Sequence, residues 1–110
     1  MNYKIIPTEH FKKQVRYLLK DYPRIRQDLR ELQKQLQENP KSGQPLGNKI
    51  YKIRLKSVDI PKGKSSGYRV ISYVIDENKK IRLLTIYAKP KKSTISDEEI
   101  KLILQKEGIL

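Results

Sequence analysis

The sequence predicts an α+β fold in which an antiparallel β-sheet packs against an N-terminal helical hairpin and ends in a C-terminal helix, in the order β-α-α-β-β-β-α. Three observations carry this: two helical-period stretches between Thr8 and Asn39, three strand-like runs between Ile50 and Ala88, and a capping-box motif at Ser96. The 110 residues suit one domain, 1–110, built on one core. Because 36% of the residues are hydrophobic and 34% charged, the apolar side chains must gather on a few faces, which predicts a thin two-layer structure.

Tyr3 to Ile6 is a short apolar run closed by Pro7 and suits a first strand. Thr8 then caps a helix whose Phe11, Val15, Leu18 and Leu19 share one face, ending near Asp21. Tyr22-Pro23 restarts a helix carrying Ile25, Leu29, Leu32 and Leu36, which stops at Asn39-Pro40. Lys41 to Asn48 is turn chemistry. In Ile50 to Lys56 the residues alternate, with Tyr51, Ile53 and Leu55 on one face and Lys52, Arg54 and Lys56 on the other. The cations on that face stand about 7 Å apart along the strand. After a loop with Pro61, Gly63 and Gly67, the runs Tyr68–Ile75 and Ile81–Ala88 flank a short turn and form a hairpin. Both are apolar on two faces, so they should be central, with helices covering one side. Ser96-Asp97-Glu98-Glu99 starts the last helix, striped by Ile100, Ile103 and Leu104.

The chain carries 25 Lys and Arg against 12 Asp and Glu, a formal charge of +13. The excess is uneven: residues 41–92 hold 14 basic and 3 acidic side chains, whereas residues 93–110 hold 2 and 4. Such self-repulsion is offset by a polyanion, and nucleic acid is the expected one. Cysteine is absent, which removes disulfides, thiolate nucleophiles and Cys-ligated zinc. No window approaches the roughly 18 apolar residues of a membrane span, and no signal peptide is visible, so the expected location is the cytoplasm, with no membrane partner.

Catalytic signals of the usual kinds are sparse. The one histidine, His10, lies at a helix start, where surface or capping roles are common. Gly63-Lys64-Ser65 resembles the end of a phosphate-binding loop, but its first glycine would fall at Val58. No ligand cluster for a metal and no cofactor motif is present. What remains is cationic and phenolic: Lys52, Arg54 and Lys56 on one strand, Lys62 and Lys64 in the loop, Arg69 on the next strand, Tyr87 and Lys89 at the end of the last, and Lys91 and Lys92 beyond it. These groups can neutralise phosphates and position an RNA backbone. They can also serve cleavage, which needs a base for a 2′-OH, cations for the phosphorane and a proton for the leaving 5′-oxygen.

The strings Tyr51-Lys52-Ile53-Arg54-Leu55, Ser65-Ser66-Gly67-Tyr68-Arg69-Val70-Ile71-Ser72-Tyr73 and Leu83-Leu84-Thr85-Ile86-Tyr87-Ala88-Lys89 resemble the RelE/ParE superfamily of bacterial toxins, within it most closely the RelE and HigB branches. The resemblance spans nearly the whole chain. It implies the toxin of a type II toxin-antitoxin system: a ribosome-dependent, metal-independent mRNA endoribonuclease that inhibits translation and is silenced by a cognate antitoxin. It places Lys52 and Arg54 on the paired basic positions near the scissile phosphate, Arg69 on the arginine that contacts it, and Tyr87 and Lys89 in the stretch leading to the last active-site residues. Lys56, Lys62, Lys64, Lys91 and Lys92 are then expected to track RNA. The family's late arginine aligns with Pro90 or Lys91, and its late tyrosine would fall near Thr94 to Ser96, where there is none. Two other readings stay open: a ParE-like inhibitor of DNA gyrase, and a non-catalytic basic RNA-binding module.

Overall fold

The computed structural model describes residues 2–60, 67–89, 91–92 and 94–110. Its elements are β1 (Lys4–Pro7), α1 (Glu9–Leu18), α2 (Ile25–Glu38), β2 (Gln44–Gly47), β3 (Ile50–Leu55), β4 (Tyr68–Ile75), β5 (Lys80–Ala88) and α3 (Asp97–Lys106). The strands form one sheet in the order β1-β5-β4-β3-β2. From β2 to β5 it is the expected antiparallel meander, and β1 adds to its far edge parallel to β5, so the sheet is mixed. The added strand β2 lies in the stretch that reads as turn chemistry. It is an edge strand, where Pro45 does not interrupt a central ladder.

Alternation along the strands sorts their side chains onto two faces. On the first, Ile53, Leu55, Tyr68, Val70, Val74, Ile81, Leu83 and Ile86 meet Phe11 and Leu18 of α1 and Ile25, Leu32 and Leu36 of α2. On the second, Ile50, Ile71 and Leu84 meet Ile100, Ile103 and Leu104 of α3. Helices therefore cover both sides rather than one, and the fold is thicker than two layers at its α3 end. The capping box explains how α3 starts there: Ser96 Oγ accepts the Glu99 N–H at 3.1 Å while the Glu99 carboxylate accepts the Ser96 N–H at 3.1 Å.

The two-faced apolar pattern of β5 has a local cause. Ile71 pairs with Thr85 and Ser72 with Leu83, which leaves Leu84 as the extra residue of a bulge. The bulge reverses the alternation, so that Leu83 and Ile86 both face the helical hairpin while Leu84 enters the α3 cluster. Thr8, the cap of α1, is tied to this bulge. Its hydroxyl lies 2.9 Å from the Leu83 carbonyl oxygen and 3.1 Å from that of Leu84, and it accepts the Phe11 N–H at 3.0 Å. The residue that starts α1 thus also satisfies carbonyls beside the bulge.

α2 starts two residues after Pro23, and the segment before it anchors the chain leaving β3. Arg24 donates its backbone N–H and its Nε–H to the two carboxylate oxygens of Asp59, both at 2.8 Å. Nearby, the buried Asp28 accepts the Val58 N–H at 3.2 Å, and Ser57 Oγ bonds the Tyr68 hydroxyl at 3.1 Å. The Arg24 backbone N–H, supported by its guanidinium, holds the Asp59 carboxyl below its ordinary range. A depressed carboxylate stabilises the fold above its unfolded pKa and loses that contribution as pH falls through the folded value. The window therefore lies below about pH 4. Hydrogen-exchange protection of the Arg24 amide should fall in that window and become independent of pH in Asp59→Asn; unchanged protection of the wild type at about pH 3 would contradict the anchor.

Candidate functional site

Strand register assembles the cationic residues. Arg54 on β3 pairs with Arg69 on β4, and Arg69 pairs with Tyr87 on β5, so the three stand in one transverse row. Adjacent strands are about 4.8 Å apart, which brings two guanidinium groups and a phenol onto neighbouring positions of one face. Lys52, two residues before Arg54, lies on the same face and pairs with Ile71. This is the α3 face of the sheet, but at the end of β3 and β4 that the buried Ile50, Ile71 and Leu84 do not occupy.

Lys52, Arg54, Arg69 and Lys89 line a polar cleft of about 430 Å³. The row descends into the protein, since Arg54 is exposed whereas Arg69 and Tyr87 are each only 5% accessible. Arg69 Nη1 donates to the Tyr68 carbonyl oxygen at 3.1 Å, which orients the guanidinium from within the sheet. The Gly67 carbonyl oxygen accepts the Lys89 N–H at 2.9 Å, fixing the start of β4 to the end of β5. Four further residues line the cleft: Gln35 of α2, Gly43, Ile53 of β3, and Gln44 of β2, which pairs with Lys52. Sequence reasoning passed over Gln35 and Gln44. The register of an edge strand is the only signal that brings Gln44 to Lys52.

Electrostatics give the row unequal parts. Burial lowers the pKa of Arg69, and the neighbouring Arg54 charge adds to that effect while Tyr87 opposes it. A second guanidinium held beside the first is costly unless an anion joins them. Burial raises the pKa of Tyr87, against the pull of Arg69 and with a small addition from Glu99. Tyr87 therefore carries a phenolic proton at neutral pH. Its hydroxyl is buried without a hydrogen-bond partner among the described residues.

The remaining expected RNA contacts are placed elsewhere. Lys56 is exposed just beyond β3. Lys91 is paired with Asp21 and lies 5.7 Å from the centre of the Tyr22 ring, and Lys92 bonds Glu99 at 2.8 Å. Both lysines thus tie the segment after β5 to helical elements rather than lining the cleft. Lys62 and Lys64 lie outside the described residues. Tyr68 is fully buried in the core under the helical hairpin, against which Tyr51 packs, while Tyr73 packs against the α3 cluster on the other face. Among the described residues there is no group of three or more His, Cys, Asp or Glu side chains placed to hold a metal ion.

Residues 5–88 match the family described as the ParE toxin of the type II toxin-antitoxin system parDE. Among solved structures, the toxin RelE of E. coli, determined as a double Arg-to-Ala mutant in the free state, superimposes with a TM-score of 0.62 at 22% identity, covering 100% of both chains. A chain of the RelBE2 toxin-antitoxin complex of Mycobacterium tuberculosis gives a TM-score of 0.58 at 22% identity, over 80% of this chain and 99% of that one. A chain of the intact E. coli RelBE toxin-antitoxin complex gives 0.55 at 25% identity, over 76% and 93%.

Proposed function

Because this chain belongs to the RelE/ParE superfamily of type II toxins, we propose that its cleft cuts messenger RNA on the ribosome and so stops translation. The observation that carries this reading is the row Arg54–Arg69–Tyr87, with Lys52 beside it in the same face. Two guanidinium groups on adjacent strands suit the non-bridging oxygens of one phosphate, whose negative charge grows as the phosphorane forms. Lys52 stands next to the row as base or electrostatic partner for the 2′-OH. In the step proposed, the O2′–P bond forms as the P–O5′ bond breaks; the 2′-OH proton leaves to water, and the cations of the cleft, Lys52 among them, offset the negative charge that develops. Tyr87, kept protonated by burial, supplies the proton that the leaving 5′-oxygen takes up. Lys89 positions the strand, and no metal or cofactor takes part.

The partners in this reading are the ribosome with its message and a cognate antitoxin, acidic enough to offset a charge of +13. The site of action is the cytoplasm; among the described residues no helix is long and apolar enough to cross a membrane. A second reading, inhibition of DNA gyrase, is favoured by the ParE description of the matching family. Induction in growing cells separates the two. Discrete new 5′ ends within translated messages are the expected result, with growth restored by the antitoxin, whereas broken DNA beside intact message would establish the gyrase reading instead.

A further inference from the structure

Three lysines follow the end of β5, and they go different ways. The Lys89 N–H bonds the Gly67 carbonyl oxygen at 2.9 Å, and Lys89 lines the cleft. Lys91 is paired with Asp21, between α1 and α2, on the hairpin side of the sheet. Lys92 bonds Glu99 of α3, on the opposite side, at 2.8 Å. The backbone N–H groups of Lys91 and Lys92 both return to the Ala88 carbonyl oxygen at 3.0 Å, which closes a tight turn.

The anchor on each side is fixed by its own contacts. The Lys91 ammonium lies 5.7 Å from the centre of the Tyr22 ring, and that buried ring meets the fully buried Tyr68 ring edge-to-face at 5.7 Å. Glu99 already serves the capping box of α3: one of its carboxylate oxygens accepts the Ser96 N–H while the other holds Lys92. Lys92, and after it the Ser96 N–H, keeps the Glu99 carboxyl below its ordinary range, so it stays charged at neutral pH. Without these partners two ammonium groups, two and three residues past Lys89, would repel the cations of the cleft. We propose that Lys91 and Lys92, with Asp21 and Glu99, are positioning residues: opposed ion pairs draw two ammonium groups away from the cleft, one to each side of the sheet, and so fix the backbone from which Lys89 reaches it. The effect on cleavage rests on the nuclease reading. Partly exposed pairs of this kind add little to the stability of a fold, so the consequence falls on how often the turn holds its working shape.

The test is single-turnover cleavage of a defined mRNA on stalled ribosomes by the full chain, over a range of chain concentrations. Asp21→Lys should lower the maximal rate about fivefold, although the added cation favours binding to RNA. Lys91→Asp should lower it as much. The double variant Asp21→Lys/Lys91→Asp restores the pair with its charges exchanged and should return the rate to within about twofold of the wild type. A Lys91 that touched RNA directly would behave in the opposite way. Asp21→Lys would then cut at the wild-type rate or faster, or the double variant would stay as slow as Lys91→Asp; either result overturns the proposal. Both side chains are about half exposed, so the three variants should melt with the wild type. Failure of the nuclease reading looks different: the wild type leaves the message intact, and the free chain then decides. Exchange of the Lys89 amide should quicken about fivefold in Asp21→Lys and recover in the double variant. Unchanged exchange in Asp21→Lys would overturn the positioning role itself.

Discussion

Arg69→Met will remove RNA cleavage and, in the same molecule, leave the melting temperature unchanged or raise it. The guanidinium of Arg69 is nearly buried and sits beside that of Arg54, so the folded state bears both a desolvation cost and a like-charge repulsion. Met fills much of the same volume without either. Replacing a buried charge by an apolar side chain of similar size is often stabilising by about 1 kcal/mol or more, which for a domain of this size is roughly 4–8 °C. In the proposed reaction, by contrast, the phosphate loses one of the two guanidinium groups that would hold it. Removing one aligned donor from a developing oxyanion costs on the order of 10²–10³ in rate. Arg69→Lys keeps the charge but not the fork and should recover little activity. Opposite signs on stability and activity are what separate a residue kept for chemistry from one kept for packing. A variant that unfolds, or one that cuts RNA at the wild-type rate, contradicts this placement.

A large loss of stability is expected from Gly67→Ala, at the residue that leads into β4 and Arg69. Gly67 has φ +98°, and a Cβ built there would lie 2.6 Å from the Leu55 carbonyl oxygen. Neither side can give way easily. Leu55 is fixed by its pairing with Tyr68, and the Gly67 carbonyl accepts the Lys89 N–H at 2.9 Å. Backbone strain and the clash together should cost about 3 kcal/mol, out of a total that for small domains is on the order of 5–15 kcal/mol. The melting temperature should then fall by more than about 10 °C. Gly47→Ala is the internal control: its φ is +90°, but no atom lies within 4 Å of the added Cβ. Its cost should be near 1 kcal/mol. Equal melting temperatures for the two variants would show that the contact with Leu55 does not constrain the site.

Local signals carried much of this structure. The span Tyr68–Ile75 coincides with β4, the capping box at Ser96 forms as its spacing requires, and alternation from Ile50 puts Lys52 and Arg54 on one face. Together with the pairing of β3 and β4, that patterning places Lys52, Arg54 and Arg69 around one cleft. What it missed depends on residues distant in the chain. The bulge at Leu84 is set by pairing with β4 and by Thr8, and without it β5 reads only as apolar on both faces. Gln44–Gly47 contains Pro and Gly, so its strand state rests on the partner β3 rather than on propensity. The ion pairs of Lys91 with Asp21 and of Lys92 with Glu99 were not legible either, because tertiary packing and the last helix bring the acidic partners to them. Gln35 reaches the cleft from a helix whose sequence period reports only its buried stripe.

The central claim, that the row Arg54–Arg69–Tyr87 cuts message on the ribosome, is tested most directly by adding the purified chain to ribosomes stalled on a defined, end-labelled mRNA and mapping the product ends. The wild type should yield a discrete cut within the ribosome-bound codon, and Arg69→Met, folded and at equal concentration, should yield none. Intact message with the wild-type chain, or an identical cut with Arg69→Met, would contradict the account.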